Sequence, residues 1–226
     1  MIAAISSMAT RTLLGELARA FEERTGQAVA LESVGGVDAA RRVQAGEAFD
    51  VVVLARDALD KLAAAGHVVS ASVADLARSG VAVAVRVGAP RPDIHGEDTL
   101  RAAVRAARTI GYSTGPSGVA LAKLFERWGI TDELRGRVVT APPGVPVGAL
   151  VARGEVELGF QQRSELLHVE GIEVLGGLPP AIDIVTTFSG AVGARAANTE
   201  GGRAWLTFLT GPDAAEAKRG QGMEPA

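Results

Sequence analysis

Cysteine is missing from this chain altogether, which excludes disulfides, thiolate metal sites and a cysteine nucleophile. Aromatic residues supply only 4% of the sequence, and Tyr112 is the single tyrosine. The three histidines, His67, His95 and His168, stand far apart with no metal-ligand spacing, so neither a metal nor a cofactor is expected. No stretch approaches the roughly 20 apolar residues that span a bilayer, so membrane insertion is not expected either. Charge of one sign is also lacking: 23 basic residues face 26 acidic ones without a basic cluster, which argues against nucleic acid as a partner. The opening MIAAISSMATRTLLGELARAFEERTG has no positively charged leader and runs directly into an amphipathic helix pattern. As written it reads as a cytoplasmic protein, and as a periplasmic one if a leader once preceded Met1.

What the chain has is apolar residues, 47% of 226, enough to fold as one large domain or two small ones. Short β-branched runs alternate with helical patterns, the signature of an α/β protein. Strands are expected at 2–6, 28–34, 50–54, 81–87, 109–115, 137–140, 157–161, 172–175 and 183–189. Helices are expected at 10–25, 39–45, 58–65, 73–77, 100–107, 119–128, 147–153, 201–209 and 213–219. The run VAVAVRV ends in GAPRP, which continues neither helix nor strand, and DIVTTFS brings the chain back. The second series is therefore read as an insertion, giving a first lobe of 1–82 plus 188–226, a second of 83–187, and a cleft between them as the natural place for a ligand.

The stretch GYSTGPSG, 111–118, has the look of an anion cradle. It lacks the Lys-Ser/Thr ending of a phosphate loop, and Lys123 falls well inside the following helix, which argues against nucleotide hydrolysis. Pro116 suits the first turn of a helix, so the N–H groups of Ser117, Gly118 and Val119 are expected to be free, with the hydroxyls of Ser113, Thr114 and Ser117 beside them. A capped helix with small turn residues explains the same letters equally well. Two further strand-to-helix junctions carry small polar residues: Ser6 and Ser7 with Thr10 and Arg11, and Gly35 with Gly36. Gln161 and Gln162 close the strand ELGF. Two glutamines are costly to bury unless paired, so one is expected to open toward a cleft, with Arg163 able to neutralise a carboxylate. A polar turn capped by Ser164 is the alternative. No nucleophile elbow is present. For proton transfer the candidates are Tyr112 and Glu165, either of which also suits a structural role.

The segments FEERTG, RRVQAGEAFDVVVLA, PSGVALAKLFERWGI, LVARGEVELGFQQRSEL and WLTFLTGPDAAEAKRGQGMEPA carry a resemblance that covers almost the whole chain. They are similar to the type II periplasmic solute-binding proteins, specifically the molybdate-binding protein family. The resemblance implies two doubly wound α/β lobes joined by a two-strand hinge. It also implies a small anion, oxyanion or carboxylate, held by hydroxyls and backbone N–H groups, and delivery to the membrane subunits of an ABC transporter. Carried over by position, the family's first serine falls on Ser6, Ser7 or Thr10, and its second on Gly36 or Val37. Its two backbone donors fall on Ser117 and near Val145 in PPGVPVG, and its tyrosine falls on Gln162. The lost serine and tyrosine point away from molybdate. FQQRSEL, YSTGPSG and GMEPA together resemble a branch that includes aconitate isomerases, which implies an isomerase of a di- or tricarboxylate as the alternative to a binding protein.

Overall fold

The structure, a computed structural model, describes residues 1–142 and 144–226. The chain divides into two units, Met1–Ser79 with Thr186–Ala226, and Gly80–Val185. It passes from the first to the second within β4 (Ala74–Arg86) and returns within β9 (Val185–Val192). Among the described residues no helix is long and apolar enough to cross a membrane.

In the first unit, β1 (Ile2–Ser7) lies parallel to both β2 (Val29–Val34) and β3 (Val51–Ala55), and β9 pairs antiparallel with β3. Alternation along each strand sends side chains to two faces, and both are covered. Ile2, Ala4, Val51 and Val53 pack with Leu14, Leu17 and Phe21 of α1 (Arg11–Thr25) and Trp205 and Leu209 of α8 (Thr199–Thr210). Ile5, Val52 and Leu54 pack with Ala39 and Val43 of α2 (Gly36–Gln44) and Leu59 and Leu62 of α3 (Arg56–Ala64). The C-terminal α9 (Ala215–Gly220) leads into β10 (Glu224–Pro225), which pairs with Ala77 and Arg78 of β4.

That pairing corrects the helix expected at 73–77, which is the start of β4. Val-Ala-Asp-Leu-Ala has the composition of a helix, but tertiary pairing with β10 overrides propensity. Leu76 and Ala77 are buried. Asp75 instead accepts hydrogen bonds from Arg56 Nη1 at 2.8 Å and Ser189 Oγ at 2.6 Å.

In the second unit, β6 (Val138–Thr140), β5 (Ile110–Tyr112) and β7 (Leu158–Gln162) are parallel, while β7 and β8 (Ile172–Gly177) each run antiparallel to β4. One face, with Val83, Ile110 and Phe160, is covered by Leu100 and Val104 of α4 (Glu97–Ala106) and Leu121 and Phe125 of α5 (Pro116–Arg127). The other face is covered by α6 (Val147–Ala152) and α7 (Arg163–Leu166). Here the strands contribute Gly111 and Gly159, and a Cβ at Gly159 would stand 2.5 Å from Val151 Cγ2. Bare glycine lets α6 lie close against β5 and β7.

Asp50, only 3% exposed, ties the first unit together by accepting from Ala3 N–H at 2.8 Å and from Asn198 N–H at 2.7 Å. Asp50→Ala removes the acceptor of two part-buried donors and is expected to cost about 2–4 kcal/mol, two lost partners at roughly 1–2 each, read as a lower urea midpoint at unchanged slope. A loss below about 0.5 kcal/mol would show that water replaces the carboxylate.

Candidate functional site

In the second unit the C-terminal edge of the sheet collects the candidate residues. β5 and β7 are parallel, with Ile110 opposite Leu158 and Gly111 opposite Gly159, so the loop after Tyr112 and the residues Gln161 and Gln162 leave the sheet at the same edge. β5 passes through Ser113, Thr114 and Gly115 into α5, whose N-cap Gly115 has no side chain to accept from the first turn. Val119 N–H donates to Gly115 O at 3.0 Å, so it is not free, contrary to expectation. Ser117 and Gly118 N–H stand at positions without intrahelical acceptors, and among the described residues they have no other partner. A Cβ at Gly118 would lie 1.7 Å from Ser113 O, so only glycine lets the loop fold down on the helix start. Thr114 is exposed, Ser113 partly so, and Ser117 buried. Lys123 is exposed further along α5.

Tyr112 lies on the α5 face, its ring edge-on to Phe125 at 6.2 Å, and burial pushes its phenol above the usual value. Its carbonyl accepts from Ala141 N–H at 3.0 Å, which anchors the loop after β6. In that loop Val145 N–H donates to Pro142 O at 3.0 Å, so this donor serves the turn itself. Pro143, within the PPGVPVG segment, lies outside the described residues.

The glutamine pair differs from expectation, since both residues are 3% exposed and neither opens outward. Alternation sends Gln162 to the face of Phe160 and Gln161 to the face of α6. There Gly148 N–H, in the first turn of α6, donates to Gln161 Oε1 at 3.3 Å, and Gln161 Nε2 donates to Glu165 Oε1 at 2.8 Å. Burial raises the Glu165 carboxyl to about 7, opposed only by the Gln161 hydrogen bond. Arg163 is exposed at the start of α7 and does not neutralise this carboxylate. Among the described residues Glu165 Oε2 has no hydrogen-bond partner. The role of Gly148 and the contact of Gln161 with Glu165 were missed, because Gln161 lies in β7 and Glu165 on α7, so no helical spacing announces their approach.

In the first unit, the three hydroxyls of the β1 junction separate clearly. Ser6, fully buried, bonds Ser33 Oγ at 2.8 Å, and Thr10 Oγ1 donates to Ser7 O at 3.0 Å. Ser7 Oγ accepts from Ala9 N–H at 3.4 Å, which leaves its own proton to donate. A Cβ on Gly36 would lie 3.6 Å from Ser7 Oγ, so this hydroxyl stands over the first turn of α2, whose N-cap is Gly35. Asp38 in that turn pairs with Arg41 at 2.7 Å. Arg11 faces elsewhere, into a shallow groove shared with Arg19, Glu22 and Glu32.

Three kinds of comparison show what the chain is similar to. The family model described as bacterial extracellular solute-binding protein matches residues 2–224. An aconitate isomerase of a Pseudomonas species is 39% identical over 227 residues, spanning 98% of this chain and 86% of that relative. Among solved structures, the periplasmic molybdate-binding protein of Azotobacter vinelandii superposes with a TM-score of 0.83 at 20% identity, covering 100% of both chains. The sulfate-binding protein of Mycobacterium tuberculosis H37Rv gives 0.82 at 17% identity, covering 100% of this chain and 86% of that one. The fold is that of the type II periplasmic binding proteins, as expected from the sequence.

Glu165 gives the native state a pH signature. An unfolded glutamate ionises near 4.5 and the native one near 7, so between these values the native state holds the extra proton and loses stability as pH rises. The loss is on the order of 1–3 kcal/mol. Glu165→Gln should therefore melt higher than the parent at pH 8 and at the same temperature at pH 4. Parallel melting curves at all pH values would show a carboxyl that is solvated in the native state.

Proposed function

Because the chain belongs to the family of bacterial extracellular solute-binding proteins, we propose that it binds a small anion through uncharged donors at its strand ends. The observation that carries this reading is the start of α5: among the described residues the N–H groups of Ser117 and Gly118 have no partners, in a segment that also carries the hydroxyls of Ser113 and Thr114. They coincide with the positive end of a twelve-residue helix, where negative charge is stabilised without a cationic side chain. Ser7 above the first turn of α2 offers a comparable set in the first unit. Ser6 and Thr10 hydrogen-bond within the β1 junction of the first unit, Gly35 and Gly36 leave the start of α2 without a side-chain cap, and Gln161 and Gln162 are buried on opposite faces at the end of β7. Val145 shapes the neighbouring turn, and Arg11 contributes only to the field around the protein.

The ligand class we assign is a di- or tricarboxylate. The relative at 39% identity is named for aconitate, whereas the molybdate binder lies at 20%. The positions that the molybdate pattern fills with serine and tyrosine fall on Gly36 or Val37 and on Gln162 here, which removes two hydroxyls suited to a compact oxyanion. The extracellular setting of the family supports delivery of the ligand to membrane subunits of an ABC transporter as the biological role.

Glu165 favours a second reading, an isomerase of an unsaturated tricarboxylate. An ionised carboxylate with a raised pKa is suited to remove a methylene proton flanked by carboxylates. The electron pair spreads over the allylic carbons, and the same proton returned to the other terminal carbon shifts the double bond without any redox partner. Tyr112, held on the opposite face of β5, is less well placed for this step.

Thermal shift against tricarballylate, citrate, trans-aconitate, molybdate, sulfate and phosphate tests the binding reading. A carboxylate at a hundredfold excess over its Kd should stabilise by about 2.7 kcal/mol. Stabilisation by molybdate or sulfate alone would reverse the ligand class, and a flat panel would remove the reading. Ser117→Pro, which deletes one donor in the first turn of α5 where no intrahelical bond is lost, should weaken carboxylate binding about tenfold or more, whereas unchanged affinity would return GYSTGPSG to the role of a helix cap. For the second reading, cis- and trans-aconitate should interconvert with pure protein and cease to do so in Glu165→Gln. Absence of turnover in the parent protein would leave a binding protein only.

A further inference from the structure

We propose that anion binding by this protein is proton-coupled, with Glu165 Oε2 as the site where the proton is taken up and Gln161 as the residue that positions it. The inference rests on the anion-binding reading of the second unit and adds to it the protonation state of the complex.

The Gln161 amide is oriented by its backbone donor. Gly148 N–H can only donate, so the atom of Gln161 facing it at 3.3 Å is the carbonyl oxygen. The amide nitrogen must then face Glu165, where it donates to Oε1 at 2.8 Å. Because that nitrogen also can only donate, Oε1 must remain an acceptor. A proton on the neutral carboxyl is therefore favoured on Oε2, because the unprotonated oxygen is the better acceptor for the Gln161 amide and Oε2 has no partner among the described residues. Gln161 thus converts a symmetric carboxyl into one with a defined donor oxygen.

This oxygen belongs to the same sheet edge as the proposed anion donors. Gln161 and Gln162 are the last residues of β7, which runs parallel to β5, so α7 and α5 both start from the C-terminal edge of the sheet. An anion arriving there meets either a second negative charge, if Glu165 is ionised, or an O–H donor, if it is neutral. The first repels and the second adds a hydrogen bond, so the bound state favours the proton.

No other titratable group takes over that task. On its own segment Glu165 is flanked by exposed Arg163 and by His168. Of the elements packed against α7, β7 presents Gln161 and Gln162, and α6 has no titratable side chain from Val147 to Ala152. Leu166 meets β4 at Ala82 and Ala84 and β8 at Ile172 and Val174. Arg86 ends β4 on the solvent side, and Glu173 of β8 is paired with Arg91 at 2.8 Å. Burial alone keeps Glu165 protonated into the neutral range, so the free protein near pH 8 is mostly ionised and has a proton to gain.

Titration calorimetry of the full chain with tricarballylate, which has no double bond to move, tests the inference. At pH 8, runs in two buffers of different ionisation enthalpy should differ in heat by close to one proton taken up per ligand. The association constant should fall about tenfold per pH unit between 7.5 and 9. In Glu165→Gln the buffer dependence should vanish and affinity should become nearly independent of pH. Binding with equal heats in both buffers, or a pH dependence that persists in Glu165→Gln, would overturn the proton coupling while leaving anion binding intact. No binding of tricarballylate at pH 6 or 8 would instead overturn the underlying assignment of a carboxylate ligand, and the inference with it. The coupling also predicts that any turnover at saturation rises with pH as affinity falls, because only the ionised minority of the complex can accept a substrate proton.

Discussion

The hydrogen bond from Gly148 N–H to the Gln161 side chain orients the amide beside Glu165 in the second unit. It exists because Gly111 and Gly159 carry no side chains on that face, so α6 can approach the sheet and bring its first turn to the end of β7. Once the amide is fixed, the orientation of Glu165 follows, and with it which carboxyl oxygen is available. A methyl group at either glycine would meet valine side chains at under 3 Å and push the helix away. The packing of two small residues in the core is thereby linked to the protonation of a group at the edge.

The same economy of side chains shapes the anion donors. Neither strand-to-helix junction relies on lysine or arginine, and each uses glycine at the N-cap so that backbone N–H groups remain unsatisfied. Such groups are usually capped by a neighbouring side chain. Their persistence at α5, together with a close approach between Gly118 and Ser113 that excludes any larger residue, supports a ligand as the missing acceptor. Selectivity between anions then depends on shape and on where hydroxyls and carboxyls stand, because the donors alone accept any negative oxygen.

Much of this was legible in the sequence, for identifiable reasons. Runs such as DVVVL and VAVAVRV can only be buried strands, and helix starts at Pro116 and after Gly35 are marked by residues with local conformational preferences. The segment 73–77 was misread because its helix-like composition is overruled by β10, a partner more than 140 residues away that no local pattern announces. The glutamines were misread for a related reason. Their cost of burial was judged correctly, but the partners that offset it, Gly148 N–H and Glu165, are brought together by packing rather than by adjacency. Ser7 could not be separated from Ser6 and Thr10 by letters alone, since all three have the same chemistry and differ only in which protons are already committed.

The central claim is that the free N–H groups at the start of α5 are the anion's anchors. Amide hydrogen exchange of Ser117 and Gly118, followed with and without saturating tricarballylate at pH 7, tests it most directly. The account predicts that both amides exchange rapidly in the free protein and are slowed at least tenfold in the complex. Saturation by ligand with no change at these two amides would contradict it.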